Sequence, residues 1–387
     1  MGAHALLSPS AAHRWLNCTA APRLEANVID QGSSFAIEGT LAHAYCALKL
    51  KEFLGLPING ETEEIKQLND QYHTGEMDEY TDTYKTIVLE KYNQARAITK
   101  DARLLIETKL DFSEYIPDAF GTADAIIIAD GVMEIIDFKY GKGVKVSAWK
   151  NPQMLIYALG AYEHFNFEYR IDRVRMTIVQ PRIYNLSEYE LDISDLLAWT
   201  DQELRPKAQQ AYEGKGPQVP GEWCHFCKVK SSCRALTEHC TSTAAKYNDP
   251  KLLTPEELAT NVLPVVSIIK TWLSDVEDFA LQQALSGIQL PGWKIVEGRS
   301  NRKITDQEAV AAELDKAGYH EAEIYKPKEL RTITELEKIT GKKNFAAICG
   351  EYIEKPQGKP TLAPESDKRP ALDLAADDFK DVQFNDE

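Results

Sequence analysis

The stretch Gly121–Gly160, GTADAIIIADGVMEIIDFKYGKGVKVSAWKNPQMLIYALG, limits what this chain can fold into more than any other. Two apolar, β-rich runs, Ala125–Ala129 and Val132–Asp137, flank the dipeptide Asp130-Gly131. Such a pair of runs around Asp-Gly predicts a hairpin. Asp124 stands at the start of the first strand, and Asp137 and Lys139 at the end of the second. Residues two apart on a strand share a face, so Asp137 and Lys139 point the same way. A Gly-rich turn follows, then a helical pattern from Asn151 to about His164. It carries Gln153 and Tyr157, four apart and on one helix face.

Two carboxylates and a lysine converging at a hairpin end suit a divalent-metal site for phosphodiester cleavage. Mg²⁺ prefers oxygen ligands and keeps several of its waters. Two aspartates leave room for those waters and a scissile phosphate. The metal activates water and stabilises phosphate charge, and a nearby lysine orients the water. The plain alternative is a surface hairpin ending in a solvated Asp–Lys pair.

Taken together, Gly121-x-x-Asp124, Asp137-Phe138-Lys139 and Gln153-x-x-x-Tyr157 resemble the PD-(D/E)XK nuclease core in its RecB-like branch. Glu38-Gly39-Thr40-Leu41-Ala42-His43 resembles that branch's Gly-Thr-x-x-His helix. The resemblance covers roughly residues 5–240. It implies an α/β, restriction-endonuclease-like fold with a mixed central sheet flanked by helices. It also implies Mg²⁺ or Mn²⁺ held by His43, Asp124, Asp137 and a backbone carbonyl at Asp137 or Phe138. Asp124, Asp137, Lys139, Gln153 and Tyr157 are then the catalytic set. The implied activity is DNA hydrolysis, first of all by an exonuclease working on ends. A structure-selective endonuclease and a non-catalytic DNA-binding recombination partner are the rivals.

Seven cysteines, an odd number, argue against a disulfide framework. Cys46 and Cys349 lie in apolar helical patterns and read as buried small hydrophobes. Cys224, Cys227 and Cys233 form a C-x₂-C-x₅-C run, with Cys18 far upstream. Four thiolates hold either Zn²⁺ or an iron–sulfur cluster. One cysteine before the core and three after it resemble the iron–sulfur staple of AddB-type and CRISPR-adaptation nucleases. That implies a [4Fe-4S] cluster clipping the two ends of the domain together, with structural zinc as the alternative. His225 and Cys240 are reserve ligands.

The remaining pattern sets the frame. Helices are expected over about 8–18, with Ser8 as N-cap, 36–54, 76–100 and 195–213, and strands over 103–112 and 172–180. Glu107 is expected to play a structural part first of all, with an additional acidic group near the site as the alternative. Lys142, Lys145, Lys150 and Arg175 are candidate DNA contacts. A net charge of −16 means that DNA is met by local basic patches, not by the global field. Hydrophobic content of 43% fits a globular protein, and no apolar run approaches the ~18–20 residues that cross a bilayer. The N-terminus lacks the pattern of a signal peptide, so a cytoplasmic location in a bacterial host is expected.

Three segments are expected: a nuclease domain over 1–245, a small helical or α+β domain over 250–353, and an extended linker with an acidic tail over 354–387. In the middle segment an amphipathic helix, with Pro264 as a kink, runs from Thr254 to about Ser286. The basic residues beyond it could guide DNA. The layout resembles a family encoded in bacteriophages and prophages, implying a setting in phage replication or recombination. Residues 371–387 hold six acids and one lysine, with Phe379 and Phe384 as anchors. They are expected to meet a partner protein, such as a single-stranded-DNA-binding protein or recombinase, or to act on the enzyme's own DNA channel.

Overall fold

The computed structural model describes residues 5–28, 34–58, 65–66, 68, 72–245, 253–293 and 341. Cys349 and the expected short helices and tail beyond residue 300 lie outside the described residues. The chain divides into two units, Met1–Val296 and Glu297–Glu387. The first unit contains the expected nuclease domain and also the long helix near residue 270.

The Asp-Gly hairpin is the centre of a five-stranded mixed sheet, ordered β1-β2-β3-β4-β5. β2 (Phe120–Ala129) and β3 (Gly131–Phe138) pair antiparallel, with Ala129 opposite Val132. Gly131 takes φ 83°, the left-handed conformation that makes glycine the natural residue there. β1 (Arg103–Asp111) pairs antiparallel with β2. β3 runs parallel to β4 (Ile171–Gln180), which requires a crossover, supplied by α5 (Pro152–Phe165). Asn151 caps that helix by accepting from the amides of Gln153 and Met154. β5 (Asn185–Asp192) closes the edge antiparallel to β4.

Helices cover both faces. On one, Met133 and Ile135 of β3 pack with α5 and with α1 (Ala12–Asn17), α6 (Ile193–Trp199) and α7 (Arg205–Glu213). A short α2 (Ala21–Glu25) follows α1, and on the other face Ile136 and Phe138 pack with α3 (Ser34–Leu54) and α4 (Gly75–Ile98). Gly160 lets α5 lie against the β1–β2 end: a Cβ there would stand 2.3 Å from the Phe112 ring.

Several boundaries depart from the sequence expectation for local reasons. The first helix begins as a 3-10 turn, Pro9–Ala11, and Ser8 makes no side-chain cap. Its hydroxyl meets Ser10, and its carbonyl accepts the Trp15 indole N–H. The 195–213 helix is α6 and α7 joined through a π turn, Thr200–Leu204. Pro264 brings another π turn, Leu258–Val262, ahead of the helix Leu263–Leu285. Widening the turn there accommodates the missing N–H.

Candidate active site

The parallel pair β3–β4 and the capped start of α5 gather the motif residues at one end of the sheet. Lys139 is the hub. Its ammonium donates to Gln153 Oε1 at 2.9 Å and lies 3.0 Å from Asp137 Oδ2. Gln153 Nε2 in turn donates to Asp137 Oδ1 at 3.1 Å, closing a triangle between β3 and α5. Asp137 is only 4% exposed. Lys139 Nζ donates to its Oδ1 at 3.4 Å, whereas its Oδ2 makes no hydrogen bond and meets Lys139 as a charge contact only.

Asp124 faces a second set. Its Oδ1 lies 3.2 Å from His43 Nδ1 on α3, and its Oδ2 accepts the Phe138 amide at 2.7 Å. One ligand atom each from His43, Glu107 and Asp124 lies within 4.8 Å of the others. Glu107 therefore lies at the site, the second of the two parts its sequence position suggested. Its backbone has φ 48°, a conformation costly for a non-glycine residue and concentrated at functional sites. Glu107 faces Asp124 across the β1–β2 ladder, at the one position where the pairing lapses. Strand alternation slips at the same point. Ala125 and Ile127 pack on the α3–α4 side, whereas Ala123 joins the α5 side. The slip brings two acids from neighbouring strands to one place. No period-2 reading of RLLIETKLD could show it.

The charges are interlocked. Burial alone would lower the His43 imidazole, but the Asp124 charge and hydrogen bond outweigh it, with Asp137 and Glu107 behind, and raise it to about 9. Burial pushes the Asp124 carboxyl up, yet His43, the Phe138 amide and Lys139 hold it below the ordinary carboxylate range. For Asp137 burial prevails: its carboxyl lies above the ordinary value although Lys139 pulls it down. Lys139 is raised because Asp137 outweighs its own burial. Burial, Asp137 and Asp124 push the Tyr157 phenol up.

A cleft of about 1350 Å³ opens over these residues. His43, Glu107, Asp124, Asp137, Phe138, Lys139, Gln153 and Tyr157 all line it. Tyr157 packs against Phe112 and beside Gly121, where a Cβ would stand 3.1 Å from its ring. Of the candidate DNA contacts, Lys142 lines the cleft, and Lys145 is exposed in the same loop. Lys150 lies at a separate pocket with His13 and Tyr189. Arg175 is engaged by Glu190 at 2.8 Å and lies 3.7 Å from Glu134. Glu38 of the Gly-Thr-x-x-His stretch, His225 and Phe226 of the cysteine run, and Arg182, which no motif announced, also line the cleft. Arg182 stacks over Tyr140 and pairs with Glu38 at 3.4 Å.

Cys18, Cys224, Cys227 and Cys233 line one small pocket, and none forms a disulfide. No three of their sulfurs lie within 4.8 Å of one another. A tetrahedral zinc site needs sulfurs about 3.8 Å apart, from Zn–S bonds of ~2.3 Å. Burial pushes the Cys227 thiol up to about 12, with Glu25 adding to it. Cys240 is buried in the helix Arg234–Ala245, and Cys46 is buried on α3.

A solved structure described as "Crystal structure of SSO0001" aligns with 58% of this chain and 96% of its own, at 13% identity and a TM-score of 0.25. That overlap is too loose to relate the two folds. Residues 4–370 match the family described as "Protein of unknown function (DUF2800)", and the chain belongs to that family.

Proposed function

We propose that this chain is a divalent-metal-dependent deoxyribonuclease of the PD-(D/E)XK type, working on DNA ends. The observation that carries the reading is the convergence of Asp124, His43, Asp137, Lys139 and Gln153 on the floor of one cleft. A solvated hairpin end would leave Lys139 in water; here it is wedged between Asp137 and Gln153.

The residues fit a hard divalent cation. The buried Asp137 Oδ2 lacks a hydrogen bond, and His43, Glu107 and Asp124 offer a close donor set. Mg²⁺ or Mn²⁺ would be held by these groups, and when bound it supplies Lewis-acid activation of water and of the phosphate. The chain's own contribution is positioning. Gln153 and Asp137 fix Lys139, whose ammonium has three donors, so it can orient the attacking water and meet phosphate charge. Tyr157 packs beside Gln153 and holds the wall of the cleft. The Phe138 amide fixes the direction of the Asp124 carboxylate.

The four cysteines suit a [4Fe-4S] cluster better than zinc. Each cluster sulfur ligand binds a different iron, which separates the thiolates more widely than one tetrahedral ion does. A setting in phage replication or recombination, in the cytoplasm of a bacterial host, belongs to the same proposal. So does an acidic tail that meets a DNA-processing partner. Among the described residues no helix is long and apolar enough to cross a membrane.

End-labelled linear DNA and covalently closed circular DNA, each with Mg²⁺, Mn²⁺ or chelator, test the reading. Metal-dependent loss of label from the linear molecule alone is the expected result. Cleavage of the circle would favour the endonuclease reading.

A further inference from the structure

Two strongly exposed aromatic side chains stand in the candidate active-site cleft, and two more lie in connections that leave the same end of the sheet. Phe35 (77% exposed) and Phe226 (68%) line the cleft itself. Trp149 (65%) lies in the connection leaving β3, and Tyr184 (90%) in the connection leaving β4. β3 and β4 are parallel, so both connections leave the same end of the sheet, beside Asp137 and Lys139.

Folding stability does not explain these placements. An aromatic ring left in water gains none of the burial energy that usually makes it useful. One of the positions, and the neighbour of another, also carry backbone strain. Tyr184 has φ 53°, and Lys150, next to Trp149, has φ 48°. A bulky residue held left-handed with its ring in solvent has a cost and no packing return.

Phe226 is held as well as exposed. It sits between Cys224 and Cys227, whose turn is closed by Cys227 N–H to Cys224 O at 3.0 Å. Arg14 donates to the Phe226 carbonyl at 3.1 Å. The backbone is fixed from the protein side while the ring stands in the cleft. Lys139, Lys142 and Arg182 line the same cleft and offer positive charge to a backbone passing the rings.

Rings at a mouth, cations beside them and a phosphodiester site beneath match an unpaired nucleic-acid strand. Every base has a π-face that stacks on an aromatic ring, and an unpaired strand leaves those faces open. A duplex hides them. Resting on the nuclease reading above, we infer that Phe226 and Phe35 form a base-stacking platform that takes the unpaired strand of a DNA end into the cleft.

The test is binding by the full chain in Ca²⁺, chosen to slow cleavage, followed by fluorescence anisotropy. The probes are a labelled oligothymidylate, an abasic strand of the same length, and a blunt duplex. The oligothymidylate is expected to bind tightest. Phe226→Ala should weaken it roughly five- to a hundredfold, as loss of a stacked base does, with the abasic strand unmoved and Phe226→Trp close to wild type. Phe35→Ala, outside the cysteine segment, should repeat the selective loss even if Phe226→Ala fails to fold. Equal affinity for base-bearing and abasic strands would overturn the platform while leaving the nuclease reading standing. Failure of all three DNAs to bind would overturn both.

Discussion

Asp137 shows how function is set against stability at a single residue. Its carboxyl is buried, lies above its ordinary pKa, and leaves one oxygen without a hydrogen bond. An acid whose folded pKa is raised weakens the fold once pH exceeds its unfolded value. Asp137→Asn keeps an acceptor for Gln153 and removes that charge. At neutral pH and without metal its Tm is expected to equal or exceed wild type, read by differential scanning calorimetry; a fall of several degrees would contradict this. His43 has the opposite sign. Its pKa is raised from 6.5 to about 9, so the stability it contributes to the metal-free protein is complete below about 6.5 and lost as pH rises through about 9. NMR titration of His43 should show the high value in wild type, and Asp124→Asn should return it towards 6.5. Asp137, Lys139 and Gln153 were legible from spacing because they follow a regular strand and helix, and Asp124 from its place at the hairpin and the Gly121-x-x-Asp124 resemblance, since its own strand slips there. Glu107 was legible only as the second choice, because its place depends on a left-handed backbone and a slip in strand alternation.

Among the elements, the sheet and its crossover helix follow the pattern of the residues closely. Asp-Gly, the apolar runs and the Asn151 cap are local signals, and local signals survive folding. β5 was missed because NLSEYELD, an edge strand, alternates only weakly and carries three acids. Its role becomes visible in three dimensions, where Glu188 and Glu190 meet Lys91, Arg173 and Arg175. Beneath that edge lies buried Glu134, 2.6 Å from Lys91 on α4 and bonded to the Thr177 hydroxyl at 2.7 Å. Removing one partner of a buried pair strands the other charge. Lys91→Ala should therefore cost about 3 kcal/mol by urea unfolding, and Lys91→Ala with Glu134→Gln should recover much of it. Loss below about 0.5 kcal/mol would place the pair with ordinary surface bridges.

On the scale of the molecule, two segments about two hundred residues apart are tied at one seam. Besides the four cysteines, buried Glu25 accepts from Arg14 at 2.9 Å and from the Lys228 amide at 2.7 Å. The cysteine spacing was legible, but this ion pair was not, since nothing local marks it. The proposed iron–sulfur clip would make Cys18 and Cys227 equivalent. Protein purified without oxygen is expected to carry iron and sulfide, and Cys18→Ser and Cys227→Ser to lose them together with solubility. Stoichiometric zinc without iron would replace the cluster in this account. The central claim is that the cleft cuts DNA with a metal and Lys139. Its most direct test is the rate at which purified protein degrades end-labelled linear DNA in Mg²⁺ or Mn²⁺, beside Lys139→Ala. Metal-dependent cleavage that falls at least about a hundredfold in the variant is the expected result. Equal rates in the two proteins, or none in either with any metal, would contradict it.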